Sequence, residues 1–189
     1  MCALQKTRWK EGSSRIITGK NNKYKFIWSG DDSDLGGVGF LVAENWIEKI
    51  ILVDRTSRHM ALRIIIIIII IIGRKIIEIS SSYAPQSGLP EPEKDKFYFN
   101  LLGHISSVPA KETLIVCGDL NGQVGKDAVS FEGVHGGHGY GERNPEGTRI
   151  LELCTAADLV LTNTHFTKKD SRIITYRSGN SSPKLIMFL

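Results

Sequence analysis

The stretch Thr113-Leu114-Ile115-Val116-Cys117-Gly118-Asp119-Leu120-Asn121 decides the fold class of this chain. Its first five residues are apolar or β-branched, which is typical of a strand buried on both faces. The strand is predicted to end at Gly118, and a carboxylate and an amide follow directly. Polar groups just beyond a buried strand are held by a rigid core while they stay open to solvent. Residues 119–121 are therefore the first candidate site.

Two interpretations of Asp119 and Asn121 are open. On an extended backbone, residues i and i+2 point to one side, where an acceptor and an amide donor suit phosphodiester hydrolysis. Alternatively, the D-x-N pattern forms an Asx turn after the strand. Tyr83 is similarly ambiguous, because its phenol can donate to a phosphate oxygen or belong to a half-buried tyrosine at a strand end.

Working outward, short apolar and β-branched runs punctuated by glycine and aspartate predict strands, and apolar residues at helical spacing predict helices. The alternation gives a strand-dominated α/β pattern without an internal repeat. The predicted strands are 24–28, 38–42, 49–53, 113–117, 159–161 and 173–176, and the predicted helices are 91–106 and 147–158.

A run of nine isoleucines, Ile64 to Ile72, is the low-complexity segment of the chain. A membrane-spanning helix needs about 20 apolar residues, so the run predicts a buried strand and no membrane partner. Gly73-Arg74-Lys75 separates it from the apolar residues 76–79. This arrangement predicts a β-hairpin with a short turn.

The overall composition gives only weak functional information. The 189 residues allow one domain, and the net charge of +4 with a sequence pI near 9.0 slightly favours a phosphate-rich partner. The three cysteines show neither a CxxC spacing nor an even count, which argues against a zinc knuckle or a disulfide framework. No secretory signal is evident at the start, so we expect an intracellular protein, cytoplasmic or nuclear. No protein partner can be inferred.

Five segments, taken together and in order, resemble the exonuclease-endonuclease-phosphatase domains of retroelement endonuclease–reverse transcriptases. Three further segments, His135-Gly136-Gly137, Arg143-Asn144 and Glu146-Gly147, are similar to the craniofacial development protein 2-like branch. The resemblance covers nearly the whole chain. The five segments are Gln5-Lys6-Thr7-Arg8-Trp9, Leu35-Gly36-Gly37-Val38-Gly39, Tyr83-Ala84-Pro85-Gln86, Gly118-Asp119-Leu120-Asn121-Gly122 and Thr175-Tyr176-Arg177-Ser178-Gly179.

The resemblance implies a four-layered α/β sandwich of the DNase I-like type, spanning residues 1–189 as a single domain. It also implies Mg²⁺-dependent cleavage of a phosphodiester, with DNA as the partner. By position, Asp119 would orient the attacking water, and Asn121 and Tyr83 would bind the phosphate. The substrate-binding positions that it implies are Thr175, Arg177, Ser178 and Asn144.

The chain departs from the family pattern where the metal is bound. The family's Gln-Glu-Thr motif reads Gln5-Lys6-Thr7 here, so an ammonium stands where a metal-binding carboxylate is expected. Mg²⁺ is commonly anchored by one or two carboxylates, and two unit charges about 4 Å apart interact by roughly 4 kcal/mol at an effective dielectric near 20. We therefore expect no retained metal ligand.

Both ends of the chain also differ from the family. The later aspartate and histidine segments do not occur, and the start leaves no room for the family's first strand, so we expect a domain truncated at both termini. The first hypothesis is a retroelement endonuclease domain with little or no activity. The alternatives are a non-catalytic nucleic-acid-binding module and a phosphatase of small phosphoesters in the same superfamily.

Overall fold

The computed structural model describes residues 1–30, 36–56, 65–72, 75–167 and 186–187. In chain order these residues form β1 (Cys2–Gln5), β2 (Gly12–Thr18), β3 (Lys23–Ser29), β4 (Val38–Ala43), α1 (Glu44–Ile47), β5 (Ile50–Thr56), β6 (Ile65–Ile72), β7 (Lys75–Tyr83), α2 (Glu91–Ser107), β8 (Thr113–Asp119), α3 (Pro145–Ala156), a 3-10 turn (Thr162–Thr164) and β9 (Ile186–Met187). The fold is mixed α/β, as the sequence predicts.

The chain groups into two compact units, and each is built from two separate segments. Unit 1 comprises Met1–Ala84 and Val108–Gly118, and unit 2 comprises Pro85–Ser107 and Asp119–Leu189. Unit 1 therefore holds strands β1 to β7 and nearly all of β8, and unit 2 holds the helices α2 and α3.

The first sheet of unit 1 has the strand order β1-β4-β3-β2, and all its pairs are antiparallel. Gln5 pairs with Val38 at the end of β1, and Trp28 of β3 pairs with Gly39. Strand β2 lies at the edge and was not predicted, because most of its residues are exposed and show no clean apolar alternation.

The second sheet of unit 1 places β5, β6, β7 and β8 side by side. Strands β5, β6 and β7 are antiparallel, and Ile72 of β6 pairs with Lys75 of β7. The structure thus confirms that residues 65–72 of the isoleucine run form a strand and that this strand pairs with β7 as a hairpin. In the described residues, no helix is long and apolar enough to cross a membrane.

The core of unit 1 depends on the period-2 alternation of its strands. Ile77, Ile79 and Tyr83 of β7 belong to one cluster with the buried residues of β3 and β4, whereas Glu78 points to the opposite face. Burial raises the pKa of the Glu78 carboxyl, and the charges of Glu112 and Asp54 add to the rise. The buried members of the cluster are Ile27, Val38, Phe40, Val42 and Tyr83.

Unit 2 is organised by the buried faces of its two helices. Phe97, Leu101 and Ile105 of α2 recur at the spacing of one helix face and are buried. Helix α3 buries Ile150, Leu151, Leu153 and Cys154. The predicted helix 91–106 is confirmed, and the second predicted helix begins two residues earlier than expected, at Pro145.

Two of the predicted strands need correction. Strand β8 runs to Asp119, and only Val116 and Gly118 are buried within it, so it is less enclosed than its apolar composition suggested. The predicted strand 159–161 is wrong, because Leu161 forms only an isolated bridge with His135. Such a short run has too few partners to extend into a ladder. The predicted strand 173–176 lies outside the described residues.

Candidate functional site

Lys6 and Tyr83 come together in unit 1, at the ends of strands β1 and β7. The Lys6 Nζ atom lies 5.3 Å from the centre of the Tyr83 ring, which is within the range of a cation–π contact. Tyr83 is 1% exposed, whereas Lys6 is exposed and has a φ of 55°. This left-handed conformation turns the backbone away from the strand directly after Gln5.

The neighbours of Lys6 are fixed by hydrogen bonds to both sheets. The Gln5 side-chain amide donates to Ser81 Oγ at 3.2 Å. The Thr7 N–H donates to the Gly37 carbonyl at 3.2 Å, and Gly37 has a φ of 94°, a conformation that favours glycine. A Cβ at Gly37 would also collide with Thr7 Oγ1. The Gln5-Lys6-Thr7 and Gly36-Gly37 segments, which both belong to the family resemblance, are therefore adjacent in space.

The residues around Lys6 do not fit a divalent cation. They offer an ammonium and an amide that already donates a hydrogen bond, whereas Mg²⁺ is held by carboxylate and carbonyl oxygens. Glu78, on the same strand as Tyr83, points to the other face of the sheet. Across the described ranges, no group of three or more His, Cys, Asp or Glu side chains could hold a metal ion.

Asp119 and Asn121 form an Asx turn at the start of the second segment of unit 2. The Asn121 N–H donates to Asp119 Oδ1 at 3.0 Å, and Asn121 has a φ of 49°. Of the two open interpretations, the turn is confirmed, and the extended backbone from 119 to 121 is wrong. Both side chains remain half-buried. Their catalytic roles stay predictions.

Gly118 explains why the chain can turn at this point. Its φ is 149°, and a Cβ there would collide with the backbone carbonyl of Ser82, on the neighbouring strand of the second sheet. The close approach of β7 and β8 therefore requires a residue without a side chain directly before Asp119.

Asn144, a predicted substrate-binding residue, is the N-cap of α3. Its Oδ1 accepts hydrogen bonds from the Gly147 N–H and the Gln123 N–H, both at 2.8 Å. The Asn144 N–H in turn donates to the Gln123 carbonyl at 3.0 Å. Asn144 therefore joins the loop after Asn121 to the start of α3, a structural role that the sequence did not reveal. Its contact with substrate stays a prediction.

His135, which belongs to one of the segments similar to the craniofacial development protein 2-like branch, is 1% exposed. Its Nδ1 accepts a hydrogen bond from the Gly137 N–H at 3.1 Å, and its Nε2 lies 3.2 Å from the Gly125 carbonyl. Because Nδ1 is an acceptor, Nε2 must carry the proton and donate to Gly125. His135 therefore has a structural part in unit 2, in which it orders the glycine-rich loop around it.

Lys94 is a second buried polar residue of unit 2 that the sequence did not single out. Its ammonium contacts Glu91 at 2.8 Å and Glu146 at 2.9 Å, and its side chain is only 6% exposed. The i,i+3 spacing of Glu91 and Lys94 is visible in the sequence. The contact between Lys94 on α2 and Glu146 at the start of α3 is not visible in the sequence.

Two cysteines are excluded as nucleophiles at neutral pH. Burial raises the pKa of the Cys154 thiol to about 12 and that of the Cys117 thiol to about 11, so both are protonated. The predicted substrate-binding residues Thr175, Arg177 and Ser178 lie outside the described residues.

Comparisons with known proteins give two sequence relatives and structural neighbours. Craniofacial development protein 2 from Bos taurus is 34% identical over 96 residues, and the protein of that name from Tragulus javanicus is 31% identical over 96. Each alignment covers 51% of this chain but only 16% of the relative. No family profile matches the chain.

One of the structural neighbours is an endonuclease/exonuclease/phosphatase family protein from Leptotrichia buccalis. It has a TM-score of 0.54 and 18% identity, over 89% of this chain and 60% of that one. At this level of identity the likeness shows the fold, and it confirms the predicted DNase I-like α/β class.

Proposed function

We propose that this chain is a phosphodiesterase-like domain of the endonuclease/exonuclease/phosphatase family with little or no hydrolytic activity, and its sequence relatives and its fold support this proposal. The proposed origin is a Mg²⁺-dependent DNA endonuclease of a non-LTR retroelement. The partner that we propose is DNA, and the substrate class of the ancestral site is a phosphodiester.

The position of Lys6 is the observation that carries this proposal. Its ammonium lies 5.3 Å from the Tyr83 ring centre, at the place where the family resemblance requires a metal-binding carboxylate. A divalent cation there would lose an oxygen ligand and meet a positive charge. An exposed lysine can swing its ammonium into water, which reduces the repulsion but supplies no ligand.

Part of the proposed catalytic set is still present in the chain. The Asp119 carboxylate would orient an attacking water, and its Oδ1 is held in a fixed direction by the Asn121 N–H. Asn121 and Tyr83 would bind the phosphate. Tyr83 is 1% exposed and its ring packs in the core of unit 1, so a phosphate would reach it only at the end of β7.

Nicking of supercoiled plasmid DNA with Mg²⁺ or Mn²⁺ at low salt tests this proposal. We expect no nicking by the wild-type chain. Robust nicking by the wild type that Asp119→Ala abolishes contradicts the loss of activity. Lys6→Glu and Lys6→Gln are matched variants, because both remove the ammonium and only the first restores a carboxylate. Titration calorimetry should show stronger Mg²⁺ binding by Lys6→Glu than by Lys6→Gln.

A second candidate function is nucleic-acid binding without catalysis. The observation that favours it is a β-hairpin formed by β2 and β3, which carries basic residues and no acidic ones. Affinity for DNA that falls as salt rises from about 50 to 200 mM is the expected signature. Affinity that does not change over this range excludes phosphate neutralisation as the binding mechanism.

A further inference from the structure

The hairpin formed by β2 and β3, residues 12–29, carries only positive charges. It carries the cations Arg15, Lys20, Lys23 and Lys25 and not one carboxylate, within a chain that has 20 acidic residues. Three of the four cations are exposed, and Lys25 is half-buried.

The lysines of the hairpin have no carboxylate as an ion-pair partner in the part of the chain that the structure describes. The tip of the hairpin borders an open concavity of about 710 Å³, and Glu44 is the acidic residue that lines it. The polar side chains of Asn21, Asn22 and Asn45 also line this space. The tip therefore combines positive charge with hydrogen-bonding groups.

An aromatic cluster holds the base of the hairpin rigid. The Arg15 guanidinium lies 4.9 Å from the centre of the Trp9 ring, and the Trp9 ring centre lies 4.5 Å from that of Trp28. The Trp28 indole N–H donates to the Lys10 carbonyl at 3.2 Å, and Arg55 Nε donates to the Trp28 carbonyl at 3.1 Å. Arg15 is therefore held over an aromatic ring on the face of the hairpin opposite to Lys23 and Lys25, and this packing keeps the base of the hairpin in place.

The hairpin is also long enough to follow a nucleic-acid backbone. Lys23 and Lys25 are two positions apart on one face of β3, or about 7 Å at the rise of an extended strand, and Lys20 lies in the adjoining turn. Duplex DNA carries roughly one negative charge per 1.7 Å of helix axis, so a span of this length meets several phosphates.

We propose that the β2–β3 hairpin is a nucleic-acid contact surface, in which Lys20, Lys23 and Lys25 bind backbone phosphates. This inference rests on the nucleic-acid partner of the proposed function, and it assigns binding to a surface separate from Asp119 and Asn121. The phosphate contacts position the chain and carry no sequence preference.

The test compares two triple variants with equal loss of charge. One is Lys20→Gln/Lys23→Gln/Lys25→Gln, and its control is Lys96→Gln/Lys111→Gln/Lys126→Gln, at three exposed lysines outside the hairpin. Binding to a fluorescein-labelled duplex of 20 base pairs is measured by anisotropy between about 50 and 200 mM salt. Circular dichroism confirms that each variant is folded, and the single variant Lys20→Gln serves if the triple variant unfolds.

In the hairpin variant, the slope of log affinity against log salt concentration should become less steep by about 0.9 for each phosphate that is no longer neutralised. When three lysines no longer bind phosphate, the fall in affinity from 50 to 200 mM salt becomes about 40-fold smaller, whereas the control keeps the wild-type slope. For Lys20→Gln alone, the slope should fall by about 0.9.

Three results overturn the inference, and they have different meanings. Equal slopes in the hairpin and control variants overturn the hairpin assignment alone. A wild-type chain that does not bind the duplex overturns the nucleic-acid partner of the proposed function and the hairpin assignment with it. If the chain binds phosphatidylserine vesicles but not DNA, the partner of the hairpin is a membrane surface and not a nucleic acid.

Discussion

The ammonium of Lys6 lies 5.3 Å from the centre of the Tyr83 ring, so an exposed cation covers a residue that is 1% exposed. The two residues follow β1 and end β7, which belong to different sheets of unit 1. This contact gives Lys6 a favourable partner that does not depend on substrate or metal. It also makes the contribution of the pair to stability measurable.

Lys6→Met should lower the free energy of unfolding by no more than about 1 kcal/mol, because a cation–π contact at an exposed site is worth roughly 0.5–1 kcal/mol. Tyr83→Ala should lower it by about 3–5 kcal/mol, because it empties a buried aromatic position. Urea denaturation at fixed pH measures both changes. If Lys6→Met lowers the free energy of unfolding by more than about 2 kcal/mol, Lys6 contributes more to stability than its cation–π contact with Tyr83 explains.

Asn144→Ala should destabilise the chain by about 2 kcal/mol, because it removes the N-cap of α3 and the hydrogen bond from the Gln123 N–H. Asn144→Asp is the matched control and should be close to wild type, since aspartate caps a helix equally well. Thermal and chemical denaturation report the difference. If both variants keep wild-type stability, the cap contributes little.

Gly118→Ala should destabilise the chain by roughly 2 kcal/mol or more, because a Cβ meets the Ser82 carbonyl and the φ of 149° disfavours a side chain. Gly103→Ala is the control. No atom lies within 4 Å of a Cβ at this helical position, so alanine should stabilise α2 by about 0.5–1 kcal/mol. Opposite signs for the two substitutions are the expected result.

The ion pair of Lys94 with Glu91 and Glu146 should make stability depend on pH at both extremes. The hydrogen bond from Lys94 lowers the pKa of Glu91 below 4.5, so its contribution is present above pH 4.5 and is lost as pH falls through the lowered value. The hydrogen bonds to Glu91 and Glu146 raise the pKa of Lys94 above 10.5. That contribution is present below pH 10.5 and is lost as pH rises through the raised value.

The stability difference between the wild type and Lys94→Met measures this effect. It should be constant between about pH 4.5 and 10.5 and should shrink beyond both limits. Lys96→Met is the control, since Lys96 is an exposed neighbour on α2. If the stability difference between the wild type and Lys94→Met keeps the same size at pH 2, it comes from packing of the lysine stem and not from its charge.

His135 should be present as the neutral Nε2–H tautomer, because its Nδ1 accepts a hydrogen bond from the Gly137 N–H. Long-range ¹H–¹⁵N spectra of the imidazole rings distinguish the two tautomers, and exposed His138 provides the reference. His135→Phe should lower the free energy of unfolding by about 1–3 kcal/mol, because it leaves buried backbone groups without partners. An Nδ1–H tautomer contradicts the hydrogen bond from Gly137.

The local pattern of the sequence was enough to predict the strands and helices that bury apolar side chains. Helix α2 was predicted because its apolar spacing matches one helical period, and the hairpin of β6 and β7 because Gly73-Arg74-Lys75 separates two apolar runs. Strand β2 was missed because it is an exposed edge strand. Its pairing with β3 comes from backbone hydrogen bonds that leave no apolar signature.

The candidate site was predictable only in part. The Asp119–Asn121 pattern correctly offered an Asx turn, because this turn is formed by neighbouring residues. The cap by Asn144, the burial of His135 and the contact of Lys94 with Glu146 were not predictable. Each depends on groups that are far apart in sequence.

The sequence by itself determined the α/β class, the order of the main elements and the replacement of a carboxylate by Lys6. Apolar periodicity and residue identity are local properties, so they can be read directly from the chain. Only the tertiary structure decided that Lys6 covers Tyr83 and that Asn144 joins the Gln123 loop to α3. These contacts form when packing brings distant segments together, and no local pattern encodes their distances.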